Sequence, residues 1–315
     1  MSRPLTNNPG GAMIVRPPVA YFGGKMTIAP QIVSYLPPHD HYVEPFCGSC
    51  AVLLAKPRSR METVNDLDGR LMGFWRVLRD RPADLARAIE LTPHARAGLA
   101  EAYEPAADEL EDARRVWVLL TQTRTGTMRP SGWRHYQSPK NSTFGMPAYL
   151  DTYRDRLPGT VQRMQGVSLE SLPALDVIAK YGRHDGVLLY VDPPYLASTR
   201  ARGYLHEMGA DADHIALAEA LRSCRAAVVV SGYPSELYDE LYAGWDRVEI
   251  HTGTGQSGAW SSRTEVLWSN RPLAQQTALF DLERPLTNTT TTGRTERCPS
   301  PMATTPSPTP TTRPS

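Results

Sequence analysis

Residues 187–195 read V-L-L-Y-V-D-P-P-Y, an apolar run that ends at the turn Asp192-Pro193-Pro194-Tyr195. The run is short and rich in β-branched and aromatic residues, which predicts a strand buried on both faces of a parallel sheet. Two consecutive prolines lack the N–H groups that a central strand needs, so the chain must leave the sheet here. Open α/β sheets bind their ligands at the carboxyl ends of their strands. We therefore expect a functional site at this turn.

The groups at this turn suit a flat heterocycle that carries an amino group. The Asp192 carboxylate and the Pro193 carbonyl can accept its two N–H bonds, while Tyr195 stacks on the ring. We predict that Asp192, Pro193, Pro194 and Tyr195 are the catalytic residues. The alternative is a turn that only ends a strand. The apolar run before it and the tyrosine after it disfavour that interpretation.

The bulk properties exclude several classes of protein. A chain of 315 residues is long enough for one large α/β domain with an insertion, and its net charge of +1 creates no global field. Four cysteines are too few for a disulfide framework, and we expect Cys47 and Cys50 to pack in a turn rather than bind zinc. The sequence shows neither a long apolar span nor a signal pattern. We expect a cytoplasmic protein without membrane contact.

Strand and helix patterns alternate along the chain, which predicts a doubly wound α/β sheet. Predicted strands are 41–46, 62–65, 167–169, 187–191 and 226–230, with antiparallel edge strands 246–251 and 264–268 flanking a Gly/Ser-rich loop. We predict helices at 26–35, from 49 to 56 and at 213–224, the last capped by Asp211 or Asp213. A helical pattern from 67 to 120, broken at Pro82, Pro93 and Pro105, predicts a mainly helical insertion.

These patterns divide the chain into four parts. We predict a flexible N-terminus at 1–15 and a catalytic domain made of 16–68 and 166–272. The insertion at 69–165 is the predicted target-recognition domain, and 273–315 is a low-complexity, disordered tail.

Three segments before Asp192 describe a pocket for a small molecule. In 41–49 a strand leads through a turn to a helix, and Gly48 allows a ligand to approach the backbone closely. The segment is not G-x-G-x-x-G and no basic residue follows it, which disfavours a dinucleotide, whereas Glu44 suits a cationic amino group. Asp66 ends the next strand about 20 residues later, where an acid receives ribose hydroxyls. Lys25 can reach a carboxylate, and Tyr21 can line the pocket.

An adenosine that carries a zwitterionic amino acid and no phosphate is S-adenosylmethionine, the cofactor that we predict. The predicted cofactor-binding residues are Tyr21, Gly23, Gly24, Lys25, Glu44, Pro45, Phe46, Gly48, Ser49, Asp66 and Asp192.

With these motifs the chain resembles the Dam-type family of DNA adenine methyltransferases over about residues 17–272. The matching segments are Y-F-G-G-K at 21–25, V-E-P-F-C-G-S at 43–49, N-D-L-D at 65–68, V-D-P-P-Y at 191–195, D-H-I-A-L at 213–217, S-G-Y at 231–233 and E-V-L-W-S-N at 265–270. The resemblance implies a Rossmann-like class I methyltransferase sheet with an inserted target-recognition domain. It also implies cofactor contacts from Tyr21, Lys25, Asp66 and Asp192, with Tyr195 stacked on a flipped base.

The expected reaction is methyl transfer from S-adenosylmethionine to the exocyclic amino group of adenine in duplex DNA. We expect a direct in-line transfer after base flipping, with neither a metal nor a covalent enzyme intermediate. Aspartate rather than serine or asparagine at 192 favours adenine. Methylation of cytosine, RNA or a protein amide by the same chemistry remains an alternative, as does a non-catalytic DNA-binding regulator, which the intact Lys25, Asp66 and Asp192 disfavour. For His214 we expect packing or capping rather than general-base catalysis.

The insertion contains the predicted DNA-binding residues. Residues 114–150 include no acidic side chain, and basic and aromatic residues there suit phosphate contacts and base edges. A solvated loop is the alternative for such a segment. The stretch T-R-T-G-T-M-R-P-S-G-W at 123–133 departs from the Asn-Arg and Phe-Asn-Gly type of the family, so no recognition sequence can be transferred. We predict a monomer that binds double-stranded DNA, with a cognate restriction nuclease as a candidate partner. The predicted DNA contacts are Arg124, Arg129, Trp133 and Arg134.

Overall fold

The strands of the described chain form one seven-stranded sheet in the order β3-β2-β1-β4-β5-β7-β6. The computed structural model describes the backbone of residues 14–136, 145–195, 208, 210–256 and 259–275, and their side chains except those of 252–263. Strands β1 to β5 pair in parallel, and β7 is antiparallel to both β5 and β6. This topology confirms the predicted α/β class. The strands are β1 (His41–Glu44), β2 (Met61–Asn65), β3 (Ser168–Glu170), β4 (Val187–Val191), β5 (Ala227–Gly232), β6 (Asp246–Gln256) and β7 (Ala259–Ser269).

Two groups of helices accompany the sheet. The helices that flank it are α1 (Ala29–Ser34), α2 (Ala51–Ala55), α9 (Ala174–Tyr181), α10 (Asp211–Arg222) and α11 (Glu236–Leu241). Those inserted between β2 and β3 are α3 (Gly69–Asp80), α4 (Pro82–Glu90), α5 (Arg96–Ala102), α6 (Glu109–Gln122), α7 (Gly145–Arg154) and α8 (Leu157–Met164). The insertion is thus mainly helical, as predicted.

Local chemistry sets the ends of the inserted helices. Pro82 begins α4, where its missing N–H is of no consequence. Pro93 and Pro105 lie in the connections between helices. Asp68 caps α3 by accepting the N–H groups of Arg70 and Leu71, and Asp108 caps α6 in the same way. The predicted breaks in the helical pattern are therefore correct.

Every residue of β4 is buried, because helices cover both faces of the sheet. Leu188 and Tyr190 join the hydrophobic cluster that continues into the inserted helices. Val187, Leu189 and Val191 face the opposite cluster, which includes side chains of α9, α10 and β5. The two-residue alternation of a strand explains this division. Burial on both faces holds the end of β4, and with it Asp192, in a fixed position.

Some sequence predictions were wrong. Strands β6 and β7 extend through most of the predicted loop, and Gln256 pairs with Ala259, because glycine and serine can still form a backbone ladder. The N-cap of α10 is Ala210, while Asp213 lies in the first turn and accepts the Ala210 N–H at 3.4 Å. Helix α1 begins only at Ala29, and α9 and α11 were not predicted.

The predicted N-terminal segment and low-complexity tail lie outside the described residues, except for 14–15 and 273–275. The described residues belong to one compact unit, so the domain boundaries at 68/69 and 165/166 remain predictions. Within the described part of the chain, every helix is too short or too polar to cross a membrane.

Candidate active site

The predicted cofactor-binding residues all line one cavity of about 320 Å³ at the carboxyl edge of the sheet. Glu44 and Asn65 contribute from the ends of β1 and β2, and Asp192 contributes from the turn after β4. Pro194 also lines the cavity, whereas Tyr195 lies beside it, buried against β7. The parallel register brings residues that are distant in sequence to this common edge.

Lys25 occupies the acceptor atoms of Asp192. Its Nζ lies 2.8 Å from Oδ1 and 2.7 Å from Oδ2 of Asp192, and 3.8 Å from Oε1 of Glu265. Burial raises the pKa of Asp192 above its usual range, and the adjacent Lys25 charge opposes that shift. We expected Lys25 to face a carboxylate of the cofactor. In this structure its partner is the carboxylate predicted to receive the target amino group.

Tyr195 is held on both its polar and its aromatic side. Its hydroxyl donates to Glu265 Oε1 at 2.6 Å, and its ring meets Tyr233 edge-to-face with centroids 4.6 Å apart. Lys25 Nζ lies 4.7 Å from the ring centroid. The side chain is buried, so stacking on a base requires Lys25 to move off the ring face.

Glu44 is a buried carboxylate directed at the cavity. Its Oε1 accepts the Tyr42 hydroxyl at 2.6 Å and the Leu53 N–H at 2.8 Å. Both hydrogen bonds end on the same oxygen, which leaves Oε2 to receive a ligand. Burial raises the pKa of Glu44 to about 7, although the two hydrogen bonds lower it. A cationic group in the cavity would favour the ionised form.

The turn between β1 and α2 requires glycine at position 48. Gly48 has φ +46°, its N–H donates to Asp66 Oδ2 at 3.0 Å, and its carbonyl accepts the Trp75 Nε1–H at 3.1 Å. A Cβ at this position would lie 2.7 Å from the Tyr21 ring. Cys47 and Cys50 of the same turn are buried free thiols, and their packing in the turn instead of zinc binding stays a prediction. Among the described residues there is no group of three or more His, Cys, Asp or Glu side chains placed to hold a metal ion.

Several residues that shape the site were not predicted. Asn65 Nδ2 donates to the carbonyls of Pro45 (2.9 Å) and Leu172 (3.0 Å), and so ties the ends of three strands together. Leu67 and Leu175 are half exposed and line the cavity. The sequence indicated Asn65 and the two leucines only weakly, because an Asn at the end of a strand and a Leu in a loop are common.

The residues of the cavity fit S-adenosylmethionine. Among the described residues that line it, Lys25 is the one cation and it is paired with Asp192, which disfavours a phosphate ligand. Glu44 offers an oxygen to an ammonium, and Asp66 lies where ribose hydroxyls would bind, although its oxygens also accept the N–H groups of Gly48 and Asp68. The exposed Leu67 and Leu175 provide an apolar surface for a flat base.

The predicted DNA-binding segment forms a tight loop beside the cavity. Arg124 N–H donates to the Gly132 carbonyl and Arg134 N–H to that of Gln122, both at 2.8 Å, and the Arg124 side chain is exposed. At the base of the loop, the Phe22 N–H donates to the Gly126 carbonyl at 2.8 Å. Residues 126–128 line the cofactor cavity. The loop therefore connects the predicted DNA surface with the cofactor site.

Trp133 and Arg134 brace this loop instead of extending from it. The Trp133 ring stacks with His94 and with His135, at centroid distances of 4.3 and 5.0 Å. Arg134 donates to the carbonyls of Thr123 and Arg124.

Two further cations of the segment, Arg114 and Arg115, pair with Glu111. The neighbouring guanidinium groups lower the pKa of Glu111 to about 2. These two arginines do not contribute to an open basic surface.

His214 has a packing role, as predicted. It is buried, its Nε2 lies 3.0 Å from the Met208 carbonyl oxygen, and its Nδ1 lies 2.9 Å from the Tyr238 hydroxyl. Both ring nitrogens are therefore engaged in the core.

The sheet order, the helical insertion and the cavity at the carboxyl edge are consistent with a Rossmann-like methyltransferase fold. The family model described as D12 class N6 adenine-specific DNA methyltransferase matches residues 21–257, and the chain belongs to this family. It is therefore an S-adenosylmethionine-dependent enzyme that methylates N6 of adenine in DNA. Family membership confirms the predicted family, cofactor and base, and supports adenine methylation over the alternatives of cytosine, RNA, a protein amide or a non-catalytic regulator.

No curated protein matches the chain at a significant level. Among solved structures, the chain is similar to precorrin 8w decarboxylase, the MT0146 product of Methanobacterium thermoautotrophicum, with 11% identity, coverage of 78% of this chain and 89% of that chain, and a TM-score of 0.34. A SAM-dependent methyltransferase from Agrobacterium tumefaciens shows 12% identity, coverage of 77% and 60%, and a TM-score of 0.34. The chain thus spans less than two thirds of the second structure, and similarities of this size carry no functional argument.

Proposed function

We propose that the turn after β4 receives an adenine extruded from double-stranded DNA, and that Asp192 and the Pro193 carbonyl accept its two amino hydrogens. The observation that carries this proposal is the position of Asp192 at the wall of the cofactor cavity, at the end of a strand buried on both faces. An adenine amino group is a poor nucleophile because its lone pair is delocalised into the ring. Hydrogen bonds to two acceptors increase the electron density on its nitrogen. Extrusion is needed because the amino group is otherwise enclosed in the duplex.

The cofactor is held by the residues around the cavity. S-adenosylmethionine supplies, when bound, a methyl group activated by its sulfonium. Glu44 binds its ammonium, Asp66 its ribose, and the Gly48 turn allows the backbone to approach the amino acid part. This assignment is supported by the free Oε2 of Glu44 and the positive φ of Gly48. Lys25 and Asp192, which line the cavity as an ion pair, would lie beside both the cofactor and the adenine.

For the DNA, the exposed Arg124 and the partly buried Arg129 bind phosphates, while Trp133 and Arg134 keep the loop in shape. Support comes from the exposure of Arg124 and from the stacking of Trp133. Arginine contacts to phosphate fix the register of a protein on the duplex, and base contacts from the same loop select the sequence.

We also propose that the enzyme is a monomer in the cytoplasm and modifies DNA as the partner of a restriction nuclease. A single chain carries both the cofactor cavity and the loop beside it, which supports a monomer. Light scattering on the purified protein measures its mass, and the mass of one chain is expected.

The proposed nuclease partner has its own test. A plasmid from cells that express the chain should resist a nuclease encoded next to it, and cleavage would contradict the partnership.

The test of the catalytic assignment is the substitution Asp192→Ala. Plasmid DNA incubated with the enzyme and radiolabelled cofactor is digested to nucleosides, and the label is expected in N6-methyladenine. We expect Asp192→Ala to lower transfer at least about 100-fold, the scale of losing an electrostatic catalytic group, while DNA binding persists. Asp185→Ala is the matched control, because Asp185 is exposed and pairs with Arg225 just before β4. Retained activity in Asp192→Ala would refute the assignment.

A further inference from the structure

Glu265 is a buried carboxylate close to the reacting groups but outside the lining of the cofactor cavity. It lies on β7 and accepts hydrogen bonds from the hydroxyls of Tyr195 (2.6 Å) and Ser231. Its Oε1 is 3.8 Å from Lys25 Nζ. A buried carboxylate is costly unless it is paired and hydrogen-bonded, so its position next to Tyr195 calls for a function.

The proposed reaction creates a conflict at Asp192. Lys25 Nζ contacts both Asp192 oxygens, and one of these must accept the target amino hydrogen. Lys25 is only 5% exposed, so water cannot replace the ion pair when the lysine moves. Glu265 Oε1 is the next carboxylate oxygen, at 3.8 Å. A movement of the ammonium by roughly 1 Å would shorten this separation to that of a charge-assisted hydrogen bond.

We propose that Glu265 is a positioning residue for methyl transfer, which fixes the Tyr195 ring through its hydroxyl and receives the Lys25 ammonium when the adenine amino group binds Asp192. This inference rests on the proposed function of Asp192 and Tyr195. The same movement removes Lys25 from the ring face, where its Nζ now lies 4.7 Å from the centroid. One displacement therefore opens both the acceptor and the stacking surface.

The charges around the site are consistent with a movement of the Lys25 ammonium from Asp192 to Glu265. One cation is shared by two carboxylates, so a movement between them leaves the net charge of the site unchanged and needs no proton. The Glu265 charge raises the pKa of Asp192, whereas Lys25 lowers it. Four further titratable or polar groups face the carboxylates of Asp192 and Glu265. They are Glu44 of β1, Tyr190 of β4, Ser231 of β5 and Tyr238 of α11.

The decisive variant is Glu265→Gln in the full chain, which keeps the size and one acceptor but removes the charge. We expect kcat to fall about 100-fold, the scale of a misplaced reacting group, with unchanged cofactor affinity by calorimetry. The acid limb of kcat/KM for DNA, at saturating cofactor, should move to lower pH because Asp192 loses its negative neighbour. A wild-type kcat, or an acid limb that does not move, would overturn the proposal.

Glu62→Gln is the matched control for Glu265→Gln. Glu62 is equally buried, lies on β2 and pairs with Lys56 and Arg163 away from the cavity. Its substitution should lower stability without moving the acid limb.

If Glu265→Gln does not fold, Tyr195→Phe removes the hydroxyl that donates to Glu265, which also hydrogen-bonds Asp192. We expect a reduced kcat with DNA binding retained, and a full kcat would refute the proposal. Wild-type behaviour of Glu265→Gln together with an inactive Asp192→Ala would refute this inference alone and leave the proposed function standing.

Discussion

At the scale of single residues, Glu44 shows how a ligand site is maintained at a cost in stability. Burial raises the pKa of Glu44 from 4.5 to about 7. A carboxyl group whose pKa is higher in the folded than in the unfolded protein stabilises the fold while it is protonated. This contribution is complete below the unfolded-state pKa and is lost as the pH rises through the folded-state pKa. The ligand-free protein should therefore lose stability between about pH 4.5 and 7, by roughly 3 kcal/mol at most. A cation bound at Glu44 Oε2 would restore it.

We predict that cofactor affinity depends on this titration. Below pH 7 Glu44 is protonated and must release its proton when the cofactor binds. The Kd of the cofactor should therefore rise roughly tenfold for each pH unit by which the pH falls below 7. Above about pH 8 the α-amino group of the cofactor loses its own proton, and affinity should fall again. Calorimetry at a series of pH values from about 5.5 to about 9, which brackets the pKa of Glu44 and that of the cofactor amino group, measures how the Kd depends on pH.

The control for this profile is Glu44→Gln. This variant should bind weakly, with no acid limb, and at pH 8 its ligand-free form should be more stable than the wild type. A Kd for the wild type that stays constant between pH 6 and 7 would contradict the role assigned to Glu44.

The sequence allowed some of these residues to be predicted and not others, for a physical reason. Glu44 ends β1 and Asp192 directly follows β4; the apolar patterns identify both strands, and strand ends meet at one edge of a parallel sheet. Glu265 lies inside a strand, where alternation shows that it is buried but not which side chains it faces. The contact between Lys25 and Asp192 joins residues 167 positions apart, and no local pattern contains it.

At the scale of elements, the turn from β1 to α2 combines an unusual backbone with a tightly packed side chain. Gly48 and Cys50 both have positive φ, at 46° and 54°. Asp66 at the end of β2 accepts the Gly48 N–H, and Tyr21 covers the same glycine. The sequence predicted this turn from its glycine. The β6–β7 hairpin was predicted with a long loop, because composition alone does not show whether a Gly/Ser segment pairs.

We predict that Gly48→Ala impairs cofactor binding more than folding. The left-handed φ costs a non-glycine residue about 1–2 kcal/mol, and the new Cβ would lie 2.7 Å from the Tyr21 ring and displace it from the cavity. We expect the Kd of the cofactor to rise at least about tenfold, which corresponds to roughly 1.4 kcal/mol. Calorimetry and thermal unfolding measure the two effects.

Gly73→Ala is the control for this element. A Cβ at Gly73 in α3 meets no atom within 4 Å, so alanine should stabilise the helix by about 0.5–1 kcal/mol and leave the Kd unchanged. Equal cofactor affinity in Gly48→Ala and the wild type would show that the turn does not shape the cavity.

At the scale of the whole molecule, a buried ion cluster joins the inserted helices to the sheet. Arg163 of α8 donates to both oxygens of Glu62 on β2, at 2.6 and 2.7 Å, and to the Leu53 carbonyl at 2.8 Å. Lys56 completes the cluster at 2.9 Å from Glu62. The continuous hydrophobic cluster that contains both Leu188 of β4 and Trp117 of α6 joins the same two parts. The insertion and the sheet therefore share one core, although the sequence predicted them as separate domains.

We predict that the sheet and the insertion unfold together and that Arg163→Met weakens both. The substitution leaves Glu62 buried with one partner fewer, which should lower the free energy of unfolding by about 3–5 kcal/mol. Denaturant unfolding followed by circular dichroism and by tryptophan fluorescence should give coincident transitions, because Trp117 lies in the insertion and Trp268 in the sheet. Arg87→Met, which breaks an exposed pair with Glu90, should change stability by less than about 1 kcal/mol. Two separate transitions in the wild type would instead establish the insertion as an independent folding unit.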